Sequence, residues 1–117
     1  MERILVVDDD RGMQDMLDIM LSRAGYQVAT ADDGAAALEI IRKRKFDLVI
    51  TDLKMPRVDG IDLLRGVKET APETAVILLT AFASGETALA AMREGAYDYV
   101  EKNFNVDDLL TIVRDAL

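Results

Sequence analysis

Short apolar runs and helical apolar stripes alternate five times along this chain, and no other feature narrows its fold as much. Ile4-Leu5-Val6-Val7, Val28-Ala29-Thr30-Ala31, Leu48-Val49-Ile50-Thr51, Ala75-Val76-Ile77-Leu78-Leu79 and Tyr97-Asp98-Tyr99-Val100 read as strands, the second being the weakest. Five helices are expected behind them. Met13, Met16, Leu17, Met20, Leu21 and Ala24 recur at helical spacing and stop at Gly25. Ala37, Leu38 and Ile41 follow a capping Asp33 and run into Arg42-Lys43-Arg44-Lys45, which suits the helix dipole. Leu63, Leu64 and Val67 mark a third helix that ends before Pro72, and Ala88, Leu89 and Met92 a fourth that ends near Gly95. Val106, Leu109, Leu110, Val113 and Leu117 form the last stripe, with Asn105 placed to cap it and Asp108 three residues on. All the methionine and leucine stripes are expected to be core. Strands this solidly apolar are buried on both faces, so the fold class is α/β, a doubly wound parallel sheet with right-handed crossovers.

The 117 residues leave room for one domain, residues 1–117. Twenty-two acidic residues against fourteen basic ones give a net charge of −8. Such a surface argues against direct contact with nucleic acid or an anionic membrane, and is compatible with divalent cations. The absence of Cys and His excludes a disulfide framework, thiolate or imidazole metal sites, a cysteine nucleophile and a phosphohistidine on this chain. No apolar run approaches the roughly 18 residues of a membrane span. The N-terminus lacks the apolar segment of a signal peptide. A cytoplasmic location is expected.

In an open parallel sheet, ligands bind outside the carboxyl ends of the strands. Asp8, Asp9 and Asp10 follow the first run, Asp52 the third, Thr80 ends the fourth, and Glu101-Lys102 follow the fifth. Each has an ordinary explanation alone: Asp9 or Asp10 as a helix cap, Thr80 as a satisfied hydroxyl, Lys102 as a solvated lysine. Together they are harder to explain. Two carboxylates about 4 Å apart repel by roughly 4 kcal/mol at an effective dielectric of 20, so gathering Asp8, Asp9 and Asp52 calls for a cation. Mg²⁺, a hard ion with oxygen ligands, fits. Acids, a metal, an ammonium and a hydroxyl together match the needs of in-line phosphoryl transfer.

These residues resemble the receiver domain of bacterial two-component response regulators, and the resemblance covers essentially the whole chain. It rests on Ile4-Leu5-Val6-Val7-Asp8-Asp9-Asp10, Asp47-Leu48-Val49-Ile50-Thr51-Asp52, Leu53-Lys54-Met55-Pro56 with Asp59-Gly60, Leu78-Leu79-Thr80-Ala81, and Tyr97-Asp98-Tyr99-Val100-Glu101-Lys102. The resemblance implies a flavodoxin-like (βα)5 fold with strand order 2-1-3-4-5. It implies that Asp52 accepts a phosphoryl group from a phosphohistidine on a partner sensor histidine kinase. Asp8 and Asp9 would hold Mg²⁺ with Asp52 and the backbone carbonyl of Lys54. Thr80 and Lys102 would bind the phosphoryl oxygens, and Tyr99 would be the aromatic switch that follows Thr80. Phosphorylation would then shift the face made by the fourth helix, fifth strand and fifth helix, with a phosphorylation-dependent homodimer as one readout. Such a domain catalyses only its own phosphotransfer and dephosphorylation. The segments Thr80-Ala81-Phe82-Ala83 and Gly95-Ala96-Tyr97-Asp98-Tyr99 are similar to the nitrogen-regulatory class, whose receivers precede an ATPase that activates σ54 promoters. An output domain controlling transcription is therefore expected outside this chain, the alternative being a stand-alone receiver.

A haloacid-dehalogenase-like phosphatase is the best rival from another class, with Asp8 as nucleophile and Asp10 as acid. Gly12 and the lack of an acidic pair after the fourth strand depart from that pattern. One departure from the receiver pattern is Asn103, where the family has proline after the lysine. A cis bond before a non-proline residue costs about 3–4 kcal/mol, so a trans Lys102–Asn103 bond is expected.

Overall fold

Each apolar run becomes a strand and each stripe a helix. The computed structural model describes residues 1–117. Its elements are β1 (Arg3–Val7), α1 (Arg11–Arg23), β2 (Gln27–Ala31), α2 (Gly34–Lys43), β3 (Leu48–Asp52), α3 (Gly60–Thr70), β4 (Ala75–Thr80), α4 (Gly85–Arg93), β5 (Asp98–Glu101) and α5 (Val106–Ala116). All strand pairs are parallel, in the order β2-β1-β3-β4-β5. The expected class and strand order are both observed.

The period-two geometry of the strands divides the core into two layers. Leu5, Val7, Val49, Val76 and Leu78 face α2, α3 and α4, where Ala37, Leu63, Leu64, Val67 and Ala91 meet them. Ile4, Val6, Leu48, Ile50, Ile77 and Leu79 face α1 and α5, against Leu17, Leu21, Leu109 and Val113. Each Val, Leu or Ile among them contributes about 1.5–3 kcal/mol when fully buried. Helix starts follow the local chemistry. Asp10 accepts hydrogen bonds from Gly12 and Met13 N–H at the start of α1, and Asp33 from Ala36 N–H at α2. Asn105 caps α5 through Asp107 and Asp108 N–H. The reciprocal capping box forms on α3, between Asp59 and Asp62. Gly25 and Gly95 take φ values of 100° and 98° just after α1 and α4, where a side chain would be strained.

Two expectations need correction. Leu89 and Met92 are 52% and 49% exposed, and Met16 and Val106 are also exposed, so the stripes are not wholly core. On α4 the only buried residue is Ala91. At 100° per residue, Leu89 and Met92 lie about 160° and 100° around the helix from it and face outward. The fifth strand also starts later than expected, at Asp98, because Tyr97 is exposed and pairs only through its N–H to Val76 O. No peptide bond is cis, so Lys102–Asn103 is trans as expected. No helix is long and apolar enough to cross a membrane.

Candidate functional site

The chain turns to β2 on one side of β1 and to β3 on the other, which opens a crevice at the carboxyl edge of the sheet. Asp8, at the end of β1, and Asp52, the last residue of β3, stand at that edge and are 1% and 7% exposed. Asp9 joins them from the β1–α1 turn but is exposed. One carboxylate oxygen from each of Asp8, Asp9 and Asp52 lies within 4.8 Å of the others. Lys102 reaches in from the far end of β5. Its Nζ sits 3.1 Å from Asp8 Oδ2 and 3.2 Å from Asp52 Oδ2. Its backbone N–H donates to Thr80 O at 2.7 Å, tying the ends of β4 and β5 together. The solvated-lysine explanation fails for Lys102.

Two close approaches allow the loop after β3 to fold over Asp52. A Cβ at Gly60 would lie 2.6 Å from Asp52 O, and one at Gly34 2.6 Å from Val58 O. Gly60 N–H donates to Leu53 O, and Leu53 N–H to Leu79 O, both at 2.8 Å. Within that loop Arg57 takes a φ of 65°, uncommon for a residue with a side chain. A cleft of about 380 Å³ opens beside Asp9, walled by Asp32, Asp33, Pro56, Arg57 and Val58.

The electrostatics are asymmetric. Burial and the neighbouring Asp8 charge hold the Asp52 carboxyl above its ordinary value, against the opposing pull of Lys102 and the Lys54 backbone amide. Burial pushes the Lys102 ammonium down, but its pairing with Asp8 and the charge of Asp52 outweigh that and raise it. The same contact thus favours the charged lysine while the carboxylate remains disfavoured. The ammonium faces two carboxylates, whereas each carboxylate shares one ammonium.

Asp8 carries the clearest sign of a missing partner. Its Oδ1 accepts from Asp10 N–H at 2.9 Å. Its Oδ2 is buried and satisfied only by the charge of Lys102 Nζ, 3.1 Å away. A buried oxygen left this way is costly. Three carboxylates with one such atom form an all-oxygen, anionic donor set, and Mg²⁺ fits it.

The remaining predicted residues are placed with less direct involvement. Lys54 is exposed, and its backbone amide lies close enough to the Asp52 carboxylate to favour the charged form. Thr80 is buried, but its hydroxyl donates to Phe82 O and accepts from Phe82 N–H, each at 3.2 Å, rather than touching Asp52. Tyr99 is half-buried, and its hydroxyl hydrogen-bonds Thr87 Oγ1 on α4. Asp10 is committed to capping α1, which removes the second acid of the phosphatase alternative. Sequence reasoning missed Thr87, which carries no distinguishing signal. It also missed Gln14, which does. Gln14 is a polar residue three positions before Leu17 on the buried stripe of α1, and it is itself buried.

Comparison with known proteins shows the family of the chain. The family profile described as "Response regulator receiver domain" matches residues 4–114. The transcriptional regulatory protein ZraR of Klebsiella oxytoca is 41% identical over 114 residues, covering 97% of this chain and 26% of that protein. The chain therefore spans about a quarter of the length of that relative. Among solved structures, the beryllofluoride-activated NtrC4 receiver domain dimer has a TM-score of 0.94 at 34% identity, covering 99% of this chain and 96% of that one. TrrA of Thermotoga maritima, in complex with Mg²⁺ and BeF, has a TM-score of 0.91 at 35% identity and covers both chains completely.

Proposed function

Because this chain belongs to the response regulator receiver domain family, we propose that Asp52 accepts a phosphoryl group from a histidine kinase and that the resulting charge switches an output face. The observation that carries the reading is the convergence of Asp8, Asp9 and Asp52 within 4.8 Å, with Lys102 bridging two of them. A carboxylate oxygen of Asp52 attacks the phosphorus of the donor phosphohistidine. The P–N bond breaks, the imidazole nitrogen keeps the electron pair and takes up a proton, and an acyl phosphate remains on Asp52. Asp8, Asp9, Asp52 and the Lys54 carbonyl would hold Mg²⁺, which supplies charge neutralisation for the phosphoryl oxygens. Lys102 gives a fixed positive charge on the opposite side. Attack of water on the acyl phosphate returns Asp52 and inorganic phosphate, so the domain turns over only its own modification.

The new phosphoryl oxygens compete for the Thr80 hydroxyl, which must leave Phe82 to reach them. That movement loosens the turn before α4 and frees the space beside Tyr99. The face so altered carries Phe82, Leu89, Met92 and Tyr97, all exposed apolar side chains suited to a partner or a second copy. A phosphorylation-dependent homodimer is supported by the beryllofluoride-activated NtrC4 receiver, which is a dimer, and this face is where this chain would form one. The whole protein would be a transcription regulator, as the relation to the transcriptional regulatory protein ZraR supports; a cytoplasmic location and the σ54-activating class follow from the sequence resemblance given above.

Incubation with acetyl phosphate and Mg²⁺, followed by peptide mapping, tests the reading. Label on Asp52, absent from Asp52→Asn, is expected. Label on Asp8 with steady release of phosphate would sink it.

A further inference from the structure

We propose that Gln14 is a positioning residue for the acidic pair, acting through its amide on the backbone of Asp8. Gln14 lies in the first turns of α1 and is 4% exposed. Its Nε2 donates to Asp8 O at 3.1 Å, to Ala31 O at 3.3 Å and to Asp32 Oδ1 at 2.9 Å. Three oxygens around one end of the amide fix its orientation, since the flipped side chain would set Oε1 against all three.

The geometry gives this amide more than a packing role. Asp8 O and Ala31 O are the last carbonyls at the ends of β1 and β2, and Ala31 O already accepts from Asp8 N–H at 3.2 Å. Gln14 completes the clamp by donating to Asp8 O as well. With that carbonyl held, the Asp8–Asp9 peptide has a fixed plane, and the two carboxylates leave it in fixed directions. The Asp8 side chain is pinned from its other side, with Oδ1 on Asp10 N–H, which leaves Oδ2 to the Lys102 ammonium at 3.1 Å and to a cation that would join it. The third acceptor, Asp32, stands in the wall of the cleft beside Asp9 and pairs with Arg11 at 3.7 Å. Gln14 therefore touches both the Asp8 backbone and one wall of that cleft. Outer partners of metal-binding side chains commonly change metal affinity by 10–100-fold when removed.

The inference rests on the Mg²⁺ site proposed above, so the test separates the two. Mg²⁺ dissociation constants are measured by titration calorimetry on the wild type, Gln14→Met and Thr74→Val. Thr74 is a matched control: its buried hydroxyl donates to Phe46 O at 2.7 Å, at the far end of the sheet. Gln14→Met is expected to weaken Mg²⁺ binding about tenfold or more, while labelling by acetyl phosphate returns to the wild-type rate at saturating Mg²⁺. Thr74→Val is expected to melt earlier with its Mg²⁺ affinity unchanged. If Gln14→Met fails to fold, Gln14→Asn replaces it, retaining the amide but falling one methylene short of the three acceptors. An affinity within twofold of wild type, or an equal loss in Thr74→Val, overturns the inference while leaving the metal site intact. A wild type that binds no Mg²⁺ overturns both.

Discussion

Replacing Asp52 with Asn should stabilise the metal-free protein and destabilise it relative to wild type once Mg²⁺ is present. At an effective dielectric of about 20, the Lys102 ammonium at 3.2 Å attracts the Asp52 carboxylate by about 5 kcal/mol. Asp8, no more than 4.8 Å away, repels it by at least about 3.5 kcal/mol on the same footing, and the solvated Asp9 adds about 1 kcal/mol. These terms nearly cancel. Burial of the carboxylate, several kcal/mol for an ion withdrawn from water, then decides the sign. The raised carboxyl of Asp52 agrees with that sum. A group whose folded value lies above its unfolded one is most stabilising below the unfolded value, near 3.8, and loses that contribution as pH rises through the folded value. As pH rises through the folded value the wild type therefore takes on the penalty of the ionised site. Asn removes the charge at similar volume and leaves Lys102 paired with Asp8, so a net gain of about 1 kcal/mol is expected, or roughly 4 °C in melting temperature. The gain should shrink as pH falls toward 4. At a Mg²⁺ concentration 100 times the dissociation constant, the wild type gains about 2.7 kcal/mol that the variant largely lacks, and the order reverses. Calorimetric melts in EDTA and in Mg²⁺, at two pH values, give all four numbers. A variant that melts below wild type in EDTA would refute the reasoning.

Asp9→Ala should raise the EDTA melting temperature by no more than about 4 °C, since it removes at most about 1 kcal/mol of repulsion from an exposed carboxylate, yet abolish most of the rise produced by Mg²⁺; an undiminished rise would place the metal elsewhere. Gly60→Ala should cost about 1–3 kcal/mol, because its Cβ would meet Asp52 O and Leu53 Cα at 2.6 and 2.8 Å, and a melting temperature equal to wild type would show that the loop can yield. Thr87→Val should release the Tyr99 hydroxyl, and the Tyr99 ring signals in NMR spectra should move toward those of the beryllofluoride-treated wild type. Unchanged Tyr99 signals would show that Thr87 does not hold the ring.

The parts of this site legible in the sequence are those whose placement follows from strand ends. Asp8, Asp52, Thr80 and Lys102 each occur at the point where an apolar run stops, and parallel pairing carries all four to one edge. The pairing of Lys102 with two acids at once follows from charge. Thr80 shows where such reasoning ends. Its position was readable, but the direction of its hydroxyl depends on the backbone of the turn at Phe82, which periodicity does not specify. The exposed side of α4 departs from the expected core stripe for a related reason. Leucine and methionine at helical spacing mark an apolar face, and only the packing of Ala91 against the sheet shows which face is buried. Gln14 had a signal, since a polar residue on a buried stripe must be hydrogen-bonded, but its acceptors come from two strand ends.

The spread of the site along the chain has a consequence for how the protein forms. A chain made from its N-terminus presents Asp8 and Asp9 first, then Asp52, and Lys102 only near the end. Until β5 docks, the central strands bring like charges together with no counter-charge from the protein. The last strand to arrive carries the ammonium that relieves them, so its docking is drawn by attraction as well as by burial. Added Mg²⁺ should supply that relief earlier and so speed refolding most where β5 is slowest to dock.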